Sequence, residues 1–446
     1  MIKDLTCGSP RKILLQYSLP LFGSILFQQL YSVADSFVAG RFIDTKALSA
    51  VGNSYELTLL YIAFAFGCNI GTSVVVARYF GQKDFSRVRT AVTTGLISTV
   101  AIGLLMTAAG MILSKTMLGW IQTPEEIFQA SLEYLDIYIA GFLFVLIYNI
   151  STGIFSALGD SRTPFFFLAF SSVSNILMDI YFVKTLKLGV PGVAWATLIC
   201  QGISAVLAFL TVLRRLHELP GENRFKIFSF PVLKELATVA IPSILQQGFV
   251  SVGNIIIQGL INTFGTSAIG GYSAAVKLNN MTITSISAFA TGMSNFAAQN
   301  AGACLPERIR HGTRSGLGLA WGMSLIFTLV YQLAGYALVC LFITDGDVHA
   351  ADVGRDFLRI VSPFYWVIAS KLILDGVFRG IHRMSFFIIS TFTDLLLRVL
   401  FSFIFASFWG VTGIWLSWPV GWCLAACISF GLYCRVKKTN FGICPE

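Results

Sequence analysis

From Ile13 onward the chain is a succession of long apolar runs separated by short polar ones. Twelve such runs stand out, at roughly 13–40, 47–78, 91–113, 133–158, 164–184, 190–213, 233–262, 268–299, 313–343, 354–379, 384–408 and 410–434. About 20 mostly apolar residues in a helix cross the ~30 Å hydrocarbon layer of a membrane. Several of the runs are longer than that and must tilt, kink or protrude. No polar region between them is large enough for a separate soluble domain. Only helices and closed barrels satisfy their backbone in lipid, so the pattern predicts an all-α integral membrane protein with twelve transmembrane helices.

Composition agrees: 55% of the residues are hydrophobic and 12% charged, against about 25% charged in ordinary globular chains. The net charge of +9 raises the question of a nucleic-acid partner, and its distribution answers it. When the loops are assigned alternately to two sides, 21 Lys and Arg fall with the termini and the even-numbered loops, among them Arg78, Lys83, Arg87, Arg214, Arg215, Arg308, Lys437 and Lys438. Seven fall opposite, including Arg41, Lys46, Lys184 and Arg355. This bias predicts a multi-pass protein of the plasma (inner) membrane with both termini cytoplasmic. The charge is spent on orientation, so no nucleic-acid partner is expected, and no obligate protein partner is evident.

Sliding the chain against itself reveals a repeat. IGTSVVVARYFGQKDFSRV (70–88) overlies TGMSNFAAQNAGACLPERI (291–309) at a shift of 221 residues, pairing Gly71, Ser73, Ala77, Gly81 and Arg87 with Gly292, Ser294, Ala298, Gly302 and Arg308. The same shift pairs Gly159 and Arg162 with Gly380 and Arg383, and GVPG (189–192) with GVTG (410–413). Six spans per repeat give both halves one orientation, a parallel repeat. The expected domains are an N-terminal six-helix bundle (1–213), a cytoplasmic linker (214–232) and a C-terminal six-helix bundle (233–446). Two bundles that rock about a site between them favour a transporter over a channel or receptor.

Several classes fall away. A phosphate-binding GxxxxGK[ST] loop is absent, which argues against an ATP-driven pump. No GxGD motif of an intramembrane protease is present, and an enzyme is not expected. The nine cysteines lie mostly in spans or on the cytoplasmic side, where disulfides are disfavoured. Cys423 and Cys427 share a helix face, but two thiols make a poor metal site and membrane packing explains them better. The first apolar segment is too long for a signal peptide and should remain as a helix.

QYSLPLFGSILFQQLYSVADSFVAGRF (16–42), ALGDSRTPFF (157–166) and NILMDIYF (175–182), together with the twelve spans and the half-length shift, resemble the multidrug and toxic compound extrusion (MATE) family over nearly the whole chain. The resemblance implies an exporter of amphipathic, often cationic, organic compounds driven by inward flow of H+ or Na+. The wider group includes flippases of lipid-linked precursors, which stand as the alternative. The branch that this chain looks like places a cation site in its N-terminal bundle, which here implies Asp35, Asn175, Asp179 and Thr197. Many relatives carry proline where Ile180 follows Asp179, so the bend of that helix is left open. Another branch uses acids on the seventh and tenth helices. The seventh here has only Glu235 at its cytoplasmic start and Asp375 is out of register, so that site is not transferred.

Depth along the helices gives an independent test of this assignment. Asp35 and Asp179 each lie five residues before the outer end of an outward-running helix, and Thr197 lies seven after the outer start of a returning one. At about 1.5 Å per residue these are one level, and Asn175 shares the face of Asp179 one turn away. Such oxygens suit Na+, and two nearby carboxylates equally suit a proton held in common. The alternative is that both acids reach the outer headgroups and are satisfied by water. No other cofactor is expected; the partners are a small organic substrate and membrane lipid.

Pro20 kinks the first span, as Pro242 does at the comparable place in the seventh, either as a hinge or as a static bend that helps packing. Glu56 and Lys277 are equivalent under the shift and opposite in sign, and either pair when the outer side closes or are satisfied separately. Lys371 with Asp375, and Asp394 with Arg398, are spaced at i, i+4 to neutralise each other or to line the substrate path.

Overall fold

The computed structural model describes residues 3–42, 45–221, 224–343 and 347–442, with the side chains of 29–48, 55 and 56 outside the description. Among the described residues the regular structure is entirely helical. In chain order the helices are α1 (Pro10–Phe42), α2 (Thr45–Gly81), α3 (Phe85–Trp120), α4 (Glu125–Ala140), α5 (Phe142–Ala157), α6 (Arg162–Ile180), α7 (Gly189–His217), α8 (Phe230–Asn262), α9 (Thr266–Gly302), α10 (Pro306–Cys340), α11 (Val348–Val361), α12 (Tyr365–Gly380) and α13 (Met384–Lys438).

These helices make twelve spanning segments. The helices α4 and α5 are one span bent by 47°, with Gly141 at the break. Likewise α11 and α12 join through a 3-10 turn, Ser362–Phe364, that contains Pro363. Conversely, the 55 residues of α13 are two spans, because Gly410 takes φ 58°, ψ −140°, a conformation that only glycine adopts without strain. Among the described residues eight helices, or nine with the bent pair taken as one, are long and apolar enough to cross a membrane.

The repeat is visible in the elements. The helices α1 and α8 both have 33 residues, α2 and α9 both have 37, and α5 and α12 both have 16. Packing repeats too. A Cβ placed on Gly153 of α5 would lie 2.6 Å from the carbonyl oxygen of Asn69 in α2. In the second half a Cβ on Gly376 of α12 would fall inside contact distance of the Ala290 carbonyl in α9, the residue that matches Asn69 at the 221 shift. Small residues let transmembrane backbones approach this closely. Gly376→Ala should therefore lower stability by about 1–3 kcal/mol, the usual cost of overpacking. Gly316→Ala, whose Cβ would meet Met293 Sδ at an ordinary 3.4 Å, should leave the melting temperature in detergent within about 2 °C.

Arginines tie off helix ends in the same repeated way. Arg89 of α3, 3% exposed, donates from Nε to Leu216 O (3.3 Å) and from Nη2 to Leu219 O (2.7 Å) at the end of α7. Arg310 of α10 donates from Nη2 to Lys437 O (2.9 Å) and Asn440 Oδ1 (2.9 Å) at the end of α13. Leu216 and Lys437 are again 221 apart. A guanidinium on the last carbonyls of a helix satisfies orphan acceptors and complements the helix dipole.

The chain divides into two compact units, Met1–Asp4 with Leu19–Ile244, and Leu5–Ser18 with Leu245–Glu446. The first part of α1 thus belongs to the second unit, and the first part of α8 to the first. In the first unit Gly71 of α2 faces Ala240 and the Leu236 carbonyl of α8. In the second, Gly292 of α9 faces Ser18 and Tyr17 of α1. The polar end of α9 serves this docking: Asn295 Nδ2 donates to Tyr17 Oη (3.0 Å) and Leu5 N donates to Gln299 Oε1 (2.8 Å). Pro20 lies two residues past the α1 crossover and Pro242 two residues before the α8 crossover. Ser24 Oγ donates back to the Pro20 carbonyl at 3.0 Å.

Candidate functional site

The helix α6 presents a polar stripe inward and an apolar one outward. Ser171, Asn175 and Asp179 are buried at i, i+4 steps, with Ser172 buried beside them, whereas Phe166, Phe170, Val173 and Leu177 are exposed. In lipid this is the orientation that hides polar groups within the protein. The helix starts where Asp160 accepts from Thr163 N (3.2 Å) and Thr163 Oγ1 (2.9 Å), and Arg215 Nη2 at the end of α7 lies 3.5 Å from Asp160 Oδ2. Burial pushes the Asp160 carboxyl up, but the hydrogen bonds it accepts outweigh this and hold it below the usual carboxylate range.

The polar stripe meets α7. Ser171 Oγ donates to Cys200 O (3.4 Å), and one turn on Asn175 Nδ2 donates to Thr197 Oγ1 (3.4 Å). Asn175 is 2%, Thr197 8% and Asp179 0% exposed. Asn175 Oδ1 is buried and accepts no hydrogen bond among the described residues, a position that costs roughly 1–3 kcal/mol if it stays empty. One turn past Asp179, Val183 enters an apolar cluster with Tyr134, Val190, Val193 and Ala194. An amide oxygen, a hydroxyl and a carboxylate thus gather at the border of apolar packing, a donor set suited to a hard cation or to a shared proton.

The bend beside this site comes from the backbone. Directly after Ile180, α6 widens into a π-helical turn, Tyr181–Thr185, closed by Leu186 N donating to Tyr181 O at 3.1 Å. Such single-turn bulges recur at functional sites, and here one stands where a proline bend was in question.

Of the four coupling residues read from the sequence, the structure brings Asn175 and Thr197 together and buries Asp179 on the same face as Asn175. Asp35 falls on α1, but its side chain lies outside the described residues, as does that of Glu56. Lys277 is exposed, with Nζ 5.6 Å from the centroid of the Phe342 ring.

In the second unit Lys371 Nζ lies 2.9 Å from Asp375 Oδ2, as the i, i+4 spacing implies, and 3.8 Å from Asp394 Oδ2. Ser390 Oγ donates to Asp375 Oδ1 (2.7 Å) and is itself 2.7 Å from Ser429 Oγ. Asp394 and Arg398 form no ion pair among the described residues. The guanidinium of Arg398 instead lies 4.5 Å from the centroid of the Trp418 ring and donates from Nη2 to Asn254 Oδ1 (3.3 Å). An aromatic face in a dry site competes well for a guanidinium. Arg89 and Arg310 carry structure that the charge count passed over, although RVRT (87–90) and RIRH (308–311) at the repeat shift signal it.

The MatE family model matches residues 20–181 and again 242–404. The chain is 27% identical over 439 residues to a probable multidrug resistance protein of Bacillus subtilis (strain 168), YpnP, covering 98% of this chain and 97% of that one. It is 23% identical to an FAD transporter of Shewanella oneidensis, covering 92% and 91%. A solved outward-facing multidrug resistance MATE family transporter of the MOP superfamily superposes with a TM-score of 0.92 at 23% identity, over 99% of this chain and 98% of that one.

Proposed function

The chain belongs to the MatE family, and from that premise we propose that it is a cation-coupled antiporter of the plasma membrane, both termini cytoplasmic, that exports amphipathic organic compounds by alternating access. The observation that carries this reading is the buried set Asn175, Asp179 and Thr197, with Asn175 Oδ1 left without a donor among the described residues. A carboxylate kept wholly inside a membrane protein is costly and marks an ion or proton path by default. With Asp35 from α1 the set would bind H+ or Na+ entering from outside. For coupling, cation and cargo must favour different states of the protein, since equal binding to both shifts nothing. Pro20, beside the point where α1 leaves one unit for the other, supplies the hinge.

The matching relatives support drug export over transfer of a lipid-linked precursor. Their names also span multidrug resistance and FAD transport, so family membership leaves the charge of the cargo open. Lys371 and Arg398 in the second unit are compatible with an anionic group on it. The test is efflux of a fluorescent organic cation from proteoliposomes under an imposed pH or sodium gradient, comparing the parent with Asp35→Asn. One gradient should drive the parent, and Asp35→Asn should abolish the effect. Transport that ignores both gradients, or a variant that stays coupled, would refute the antiporter reading.

A further inference from the structure

The repeat provides a built-in comparison at the end of each unit where the second and third helices of that half meet. In the second unit this place is filled by the chain itself. Arg308 donates from Nε to Asn300 Oδ1 (3.0 Å), from Nη1 to Gly8 O (2.9 Å) and from Nη2 to Leu5 O (3.2 Å). At the 221 shift the corresponding residues of the first unit are Arg87, Tyr79, Ser229 and Lys226, and there the linker is held from α3 by other bonds, Ser86 Oγ donating to Arg224 O (2.9 Å) and Ser229 N donating to Thr94 Oγ1 (3.1 Å). Arg87 lies over the Tyr79 ring (5.7 Å) and pairs with Asp84 at 3.4 Å. A cavity of about 560 Å³ opens beside it, lined by Tyr79, Arg87, Arg224, Lys226, Ser229 and Glu235.

Among the described residues the lining carries Arg87, Arg224 and Lys226 together with Glu235, and Tyr79 Oη donates to Glu235 Oε2 at 2.8 Å. In the second unit the place of Glu235 is taken by the buried Leu14. The volume lies within the usual range for small-molecule sites and exceeds what a free phosphate fills. Ile227 and Phe230, 68% and 75% exposed, flank the lining residues in sequence and offer apolar surface beside the cations. Cations next to exposed apolar side chains are the chemistry that holds an anionic headgroup while its acyl chains rest alongside.

We propose that this cavity of the first unit binds the phosphodiester headgroup of a membrane phospholipid. Occupancy would bridge the end of α2, the start of α3, the linker and the start of α8.

The test is a titration of the purified full-length chain in detergent with dihexanoylphosphatidylglycerol, read by native mass spectrometry and by the lipid-induced shift in melting temperature. Saturable binding is expected, weakened roughly tenfold or more in Arg224→Ala/Lys226→Ala. Arg435→Ala/Lys438→Ala removes the same charge from exposed positions elsewhere and should leave binding intact. Equal binding by the parent and the first variant, or equal weakening by the second, would overturn the proposal. Inorganic phosphate is the remaining arm: if it binds as tightly as the lipid, the site is one for a soluble anion and the lipid assignment fails.

Discussion

Asp179→Asn is expected to lower gradient-driven efflux by about 100-fold while the protein folds normally. The substitution keeps the volume and removes the charge. Contacts of a charged ligand are worth roughly 1.5–3 kcal/mol, and losing one removes most of the affinity on which the coupling ion depends. Asn175 and Thr197 would remain paired across α6 and α7, so the helices have no reason to separate. Because the change at this 0% exposed position is isosteric, the melting temperature in detergent should stay close to that of the parent. Efflux and stability should therefore move apart. If both collapse together, Asp179 is a structural residue; if efflux persists at the parental rate, the buried set is not the coupling site.

Lys371→Met is expected to cost about 3–5 kcal/mol, the usual penalty for breaking a buried ion pair from one side. Lys371 and Asp375 are each 2% exposed in their side chains, at 2.9 Å, and the methionine would leave Asp375 with only the hydroxyl of Ser390. Replacing both partners by apolar groups is often nearly neutral. Lys371→Met/Asp375→Leu should consequently recover to within about 1.5 kcal/mol of the parent, a coupling that a double-mutant cycle by chemical denaturation measures directly. Asp394, whose Oδ2 lies 3.8 Å from Lys371 Nζ, loses that cation in both variants, so this loss cancels from the comparison. A double variant no better than Lys371→Met alone would show that the lysine matters for its packing and not for its charge.

The spans were legible because hydrocarbon thickness imposes one length on every helix, and the repeat because duplicated packing needs keep glycines such as Gly71 and Gly292 in step. The pairing of Lys371 with Asp375 was legible for the same local reason, being set by one helix turn. Breaks within spans were not: glycine and proline are tolerated inside transmembrane helices, so Gly141 and Pro363 carry no unambiguous signal. Nor was the partner of Arg398. Spacing offered Asp394, but Trp418 approaches from the other leg of α13, and such tertiary competition has no trace in local sequence. The π-helical turn after Ile180 likewise lacks a residue that announces it.

The assignment of Leu5–Ser18 to the second unit and of the first part of α8 to the first has a consequence for biogenesis. The first part of α1 cannot finish docking until α9 has been synthesised, some two hundred and fifty residues later. The first unit, for its part, lacks a wall until α8 has emerged beyond the linker. Insertion into the membrane must therefore hold two incomplete bodies and complete them late. A gene severed at the linker would encode two fragments, each carrying a segment that the other requires.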